Sequence, residues 1–199
     1  MNIFILDRNP KIAAQQQCDK HVVKMIVESA QMLSTAHRIL DGTKVKRPSV
    51  SGKRIVNYWE HPNSNLEKTL YKAVHPGHPS TLWTMESIEN YYWHYEHWIS
   101  LCDEYEFRYK KIHSTKQLLE EVLNTPPKNI PMVEKTPFKL AMKDFPQCQF
   151  PDDPVKSYRL FYQTKQERFK MVWSKRKIPD WFEKKSLTQT SNSVISSSV

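Results

Sequence analysis

Glycine is nearly missing from this chain, with three in 199 residues. That scarcity excludes the Gly-rich phosphate loops of the Walker and dinucleotide-binding types, and nucleotide-driven chemistry with them. No G-x-S-x-G elbow occurs, so an α/β-hydrolase nucleophile has no support. No H-E-x-x-H or paired C-x-x-C spacing occurs either, and no metal or cofactor is expected. Cysteine is also scarce: Cys18, Cys102 and Cys148 are odd in number and widely spaced. They do not make a disulfide framework, and they point to a reducing compartment, the cytoplasm. There is no apolar run long enough to span a bilayer. The start, MNIFILDRNP, lacks the basic region and cleavage site of a signal peptide. No repeat and no alternating strand pairs are visible, so the expected class is all-α.

Positive charge and aromatics are what the chain has in quantity. Its net charge is +9, which favours a polyanionic partner such as nucleic acid. One stretch organises the rest, Asp19 to Leu40, DKHVVKMIVESAQMLSTAHRIL. It contains neither Pro nor Gly. Val22, Met25, Ile26, Met32, Leu33, Ala36, Ile39 and Leu40 share one face of a 3.6-residue helix. His21, Lys24, Glu28, Gln31, Thr35 and Arg38 follow at steps of three and four and form a polar stripe. Val23, Val27, Ala30 and Ser34, small or apolar, flank that stripe where a surface helix would carry charge. The pattern predicts a central helix packed on most of its circumference, with its polar stripe facing a cleft. Asp19 is the expected N-cap, and Gly42 the C-terminal stop in left-handed geometry.

Before it, Asn2 to Leu6 reads as an apolar extended piece and Lys11 to Gln17 as a short helix. After it, Thr43 to Asn63 reads as a basic irregular loop whose Lys46, Arg47, Lys53 and Arg54 contact phosphates. The turn HPGHPS (75–80) leads into one long helix from Thr81 to about Lys111. Its expected main seam is Leu82, Met85, Ile88, Tyr92, Tyr95, Ile99, Cys102 and Tyr105, widened by Trp83, Tyr91, Trp98 and Leu101. A further helix spans 114–124, a Pro-rich wrapped segment 125–151, and a last helix Asp153 to about Ser174. Trp181 and Phe182 then dock on the core. The expected organisation is one all-α domain over 1–182 and a disordered tail over 183–199, Ser- and Thr-rich from Ser186.

Eight histidines invite a metal reading, yet Cys18 with His21, and His94 with His97, do not complete a zinc signature. Glu28 is the residue that asks for an explanation. A carboxylate on a helix packed on most sides is either paired, here with Lys24 or Arg38, or functional.

At these residues the sequence resembles a known family. Asp19-x-His21, six residues, then Glu28 is similar to the D-x-H…E segment of the pyrimidine-dimer DNA glycosylases of T4-like phages. His78, the aromatics after it, and Glu104 with Arg108 resemble that family's G-H-x-x-F-F…E…R-G stretch. The block CDKHVVKM…QMLSTAHR looks closer still to a family of tailed-cyanophage proteins, which implies the host cytoplasm but no activity. The glycosylase likeness implies a small basic α-helical protein acting on damaged bases in duplex DNA. An N-terminal amine, here that of Met1, would attack the sugar C1′ and form an imine. Such an amine, of pKa about 7.7–8.0, is partly neutral at physiological pH. Glu28 would stabilise the cationic sugar and shuttle the proton for β-elimination, and His21 would orient the opened sugar. Lys24, Arg38 and His78 join the loop cations as DNA contacts, and Trp59 or Trp83 would receive a flipped base. The chain departs from the family at Val27 and Gln31, where the glycosylases carry Arg, and at Asn2, before which Met is retained. Two other readings fit the same residues: a non-catalytic nucleic-acid-binding phage accessory protein, and an enzyme on a small polar substrate.

Overall fold

The computed structural model describes residues 2–184. Its helices are α1 (Pro10–Gln15), α2 (Asp19–Asp41), α3 (Ser64–Thr69), α4 (Pro79–Glu86), α5 (Ile88–Tyr109), α6 (Ser114–Leu123) and α7 (Pro154–Gln163). One antiparallel pair, β1 (Thr43–Pro48) and β2 (Ile55–Glu60), stands between α2 and α3. The fold is therefore mostly helical. The all-α expectation fails between Thr43 and Asn63, where a β-hairpin replaces the irregular loop. Register explains it: Val45 faces Tyr58 and Lys44 faces Trp59, and the first of these is a β-branched and aromatic cross-strand pair of the kind that stabilises two-stranded ribbons.

α2 is the central element, packed against α5, α4 and α6. Val22, Met25, Ile26, Met32, Leu33 and Ala36 are buried, and so are Ala30 and Ser34 on the flank. Its N-cap is Cys18 rather than Asp19. Asp19 instead accepts from Arg108 and from the Ser174 backbone and hydroxyl, and Arg108 also bonds Glu104. Arg176 completes this network on Glu104 at 2.8 Å. The Asp19, Glu104 and Arg108 of the resemblance thus act here as a clasp between α2, α5 and the segment after α7. Gly42 is not left-handed (φ −95°). Glycine is needed there because a Cβ would lie 2.4 Å from the Arg38 carbonyl oxygen and 2.7 Å from that of Glu60.

The long helix expected from Thr81 is two. Ser87 is extended (φ −154°) and caps α5 by accepting from Asn90 N–H, while His78 caps α4. The break resets the phase, so Leu82 and Tyr92 of the expected main seam are exposed, while Trp83, Tyr91, Trp98 and Leu101, expected to widen it, are buried in the core. The last helix ends at Gln163, sooner than expected, in a 3₁₀ turn over Thr164–Glu167.

Buried tryptophans need a partner for their indole N–H. Trp98 donates to the Ile26 carbonyl of α2 and Trp83 to Thr136 in the Pro-rich segment. Trp93 donates to Arg8, Trp173 to the Gln16 carbonyl and Trp181 to the Gln16 side chain. These bonds fasten chain that has no regular structure, and they dock the Trp181–Phe182 pair as expected. Among the described residues no helix is long and apolar enough to cross a membrane. Met1 and residues 185–199, most of the expected tail, lie outside the described residues.

Candidate functional site

The polar stripe of α2 is divided between two environments. Its N-terminal half, His21, Lys24 and Glu28, lines a cleft of about 350 Å³ together with Asn2, Phe4, Phe161, Lys165 and Arg168. Its C-terminal half is covered. The Thr35 hydroxyl accepts from Val74 N–H at 3.0 Å, which pins the segment before the HPGHP turn. Arg38, expected to touch DNA, is 1% exposed. Its five N–H groups meet the carbonyls of Tyr71, Trp59, Glu67 and Leu70 and the Glu67 carboxylate, at 2.6–2.9 Å. A guanidinium with every donor placed has nothing left for a phosphate, so Arg38 is a structural anchor for β2 and α3.

In the cleft, Glu28 pairs with Lys24 at 3.1 Å, one helical turn away, and not with Arg38. His21 stacks on Phe4 (centroids 4.9 Å) and bonds the Tyr162 hydroxyl through Nδ1 at 2.8 Å. That hydroxyl also accepts from Cys18 N–H. Burial, then the charges of Lys24, Lys165 and Lys20, push the imidazole pKa down to about 3. His21 is therefore neutral at physiological pH.

Phe4 carries a left-handed backbone (φ 51°) although it is bulky and buried. For such a residue that geometry costs about 1–2 kcal/mol, and it holds the ring against His21. Asn2 fixes the same end of the chain, accepting from Ile3 N–H and donating to the Ala141 carbonyl.

Lys165 is the cleft residue that the sequence did not single out. It is 9% exposed. Among the described residues no carboxylate pairs with it, and its ammonium sits 3.5 Å from the Phe161 ring centroid. Burial, with Arg168 and Lys24 as positive neighbours, lowers its pKa to about 8. Arg168 stands one turn further on and is exposed. No local pattern marks either residue: both lie far along the chain from α2 and reach it through the packing of α7. The cleft gathers three cations, one carboxylate, a neutral histidine and aromatic walls. It suits a phosphate-bearing ligand with a flat group, and it offers one amine able to lose its proton near neutral pH.

A second cavity, of about 620 Å³, adjoins the first along Ala141 and Phe161 and is lined by His75 and His78. His78 Nδ1 accepts from Ser80 N–H as the α4 cap. A third groove, of about 1060 Å³, lies under the hairpin and is lined by Arg47, Lys53, Arg54, Tyr58, Trp59 and Lys72. Arg47 pairs with Glu60 and stands over Tyr58. Lys46, Lys53 and Arg54 are exposed. Trp59 borders this groove, while Trp83 is buried in the core and cannot receive a base.

Among the described residues, neither Cys18 with His21 nor His94 with His97 belongs to a cluster able to hold a metal. Cys18 is buried, His94 bonds Thr84 and His97 bonds Gln17. A different cluster of ligand type does come together, His37, Asp41 and His61. The i,i+4 spacing of His37 and Asp41 was legible in the sequence; the arrival of His61 was not. Comparison of the chain with protein-family models, with curated proteins and with solved structures gave no match.

Proposed function

We propose that the chain acts on duplex DNA at damaged or modified bases, as a glycosylase and lyase working through an imine with C1′ of the sugar. One observation carries this reading: the Glu28 carboxylate, the neutral His21 and the Lys165 amine share one cleft. In this reading the neutral amine donates its lone pair to C1′ as the bond to the base breaks, and the base leaves with a proton from solvent. The amine passes a proton to the ring oxygen, whose bond to C1′ breaks as the nitrogen lone pair forms the protonated imine. Glu28 takes the C2′ proton, and that electron pair expels the 3′ phosphate. The free ring nitrogen of His21 orients the opened sugar, and Lys24 and Arg168 hold its phosphates. Lys165, its pKa already lowered, joins Met1 as a candidate for the amine.

Borohydride reduction of the chain on abasic and dimer-containing duplexes tests this. A covalent adduct is expected, and peptide mapping then assigns it to Lys165 or to residue 1. A folded chain that yields no adduct on either duplex overturns the reading. A second reading, a non-catalytic DNA-binding accessory protein, is favoured by the exposed cations of the hairpin. It predicts salt-sensitive DNA binding with no adduct.

A further inference from the structure

The base of the β-hairpin holds a group that neither the cleft nor the packing of the core uses. His37 and Asp41 stand one turn apart at the end of α2, and His61 directly follows β2. The three residues thus sit where the hairpin leaves the helix and where it returns. One ligand-type atom of each lies within 4.8 Å of the others. His37 is 2% exposed and His61 7%. Among the described residues, His37 Nδ1 and His61 Nε2 are buried without a hydrogen-bond partner, a state that native proteins rarely leave unexplained.

The protons can be counted. The Tyr91 hydroxyl donates to the Leu123 carbonyl at 2.9 Å, so it accepts from His37 Nε2–H, also at 2.9 Å. His37 Nδ1 is therefore a bare lone pair on a ring whose other nitrogen is tied down, the usual arrangement behind a metal-bound histidine. The Asp41 carboxylate is oriented from behind by the backbone N–H groups of Lys128 and Asn129, each at 2.9 Å. Its Oδ2 lies 3.9 Å from His61 Nε2, too far for a hydrogen bond. Bond lengths of about 2.0–2.2 Å to a tetrahedral ion require donors roughly 3.4 Å apart. A contraction of the triangle's edges by at most about 1.4 Å reaches that spacing.

We infer that His37, Asp41 and His61 form a binding site for a divalent cation of the zinc class, with three protein ligands and one open position, closing the base of the hairpin. Two imidazoles and a carboxylate are the donor set such ions take. One feature of His61 sets a condition. Its Nδ1 accepts from Asn63 N–H at 3.1 Å, which places the ring proton on Nε2 when no cation is bound. Coordination through Nε2 requires that proton to leave for solvent and Nδ1 to gain one, with the Asn63 bond broken and no net proton released. The bound ion would fix the angle between α2 and the hairpin that carries Lys46, Arg47, Lys53 and Arg54. This inference does not depend on the chemistry of the cleft.

The test uses the full chain, stripped with a chelator and titrated with Zn²⁺ by calorimetry and with Co²⁺ by visible absorption. Expected are one ion per chain, the intense Co²⁺ bands of a tetrahedral site, and a Tm that rises with free ion. Asp41→Asn and His61→Gln are each expected to weaken binding by about tenfold or more, while His75→Gln, at a histidine outside the triangle, leaves it unchanged. ¹⁵N NMR of the parent chain supplies a readout that needs no variant: His61 should pass from the Nε2–H to the Nδ1–H tautomer on saturation. Failure of the folded parent to bind either ion at micromolar concentration overturns the site. So does binding unchanged in both variants, or a His61 tautomer that the ion does not move.

Discussion

The two halves of the α2 stripe carry similar residue types and have come to opposite ends. Around Arg38 every donor is met, by four backbone carbonyls and one carboxylate. Around Glu28 and His21 the cations outnumber the carboxylates. An ammonium there is buried without a counter-charge among the described residues, and a bulky residue is held in a left-handed backbone. A buried charge with all its bonds made holds a fold together. A buried charge with bonds left over costs stability and is positioned for a ligand.

The sharpest way to break this contrast is at Arg38. Arg38→Met removes five donors, leaves four carbonyls without them and takes the counter-charge from Glu67, which keeps only its bonds from Tyr58 and His61 N–H; a loss of about 3–5 kcal/mol is expected in urea unfolding. A near-neutral result would mean that the cage is not the anchor of β2 and α3.

The next contrast lies at Glu28. Its partner Lys24 is 61% exposed at the side chain, so Glu28→Gln should cost only about 0.3–0.5 kcal/mol in the melt. Strand cleavage per folded molecule should fall on the order of a hundredfold, equivalent to about 2.7 kcal/mol. A variant that cleaves like the parent would assign Glu28 to a plain helical ion pair.

Lys165 should behave in the opposite sense to Arg38. Lys165→Met removes a buried charge that no carboxylate among the described residues pairs with, and a gain of about 1 kcal/mol is expected together with loss of the borohydride adduct if this amine is the nucleophile. The pH dependence has a definite sign. The folded-state pKa of about 8 lies below the ordinary 10.5. Below pH 8 both states hold the proton, and the folded state bears the full cost of the buried charge. Between about pH 8 and 10.5 the folded state sheds its proton first, so stability rises with pH. The parent-minus-variant difference in Tm should shrink across that window, and a flat difference would contradict the shifted amine.

The smallest effect on stability is expected at the hairpin. Reversing Lys46, Arg47, Lys53 and Arg54 to Glu should leave the core intact. It should flatten the salt dependence of DNA binding, by about 0.9 in log–log slope for each phosphate no longer neutralised. An unchanged slope would move the nucleic-acid surface to the cleft alone.

Much of this arrangement was legible along the chain, because it depends on local periodicity. The 3.6-residue pattern of Val22 to Ala36 and the steps from His21 to Glu28 fix the central helix and put its polar residues on one line. Pro10 and Pro154 mark two helix starts, where a missing N–H and a preset φ are tolerated, whereas Pro79, read as part of the turn, opens α4 before the expected Thr81. The hairpin was hidden because β1 has Val45 as its one large apolar residue among Lys44, Lys46 and Arg47, and β2, Ile55–Glu60, shows no apolar–polar alternation. The break at Ser87 was hidden because its cap is a single serine inside an otherwise unbroken helical pattern. What only the tertiary structure decided is which polar residues are satisfied. Arg38 meets its carbonyls because α3 and β2 fold back over it. Lys165 and Phe4 reach Glu28 from opposite ends of the chain. His61 comes to His37 and Asp41 because the β1–β2 ribbon returns to its starting point. The helix period fixes a residue's direction from its neighbours in sequence, whereas the partner it meets is set by long-range packing, which no local pattern encodes.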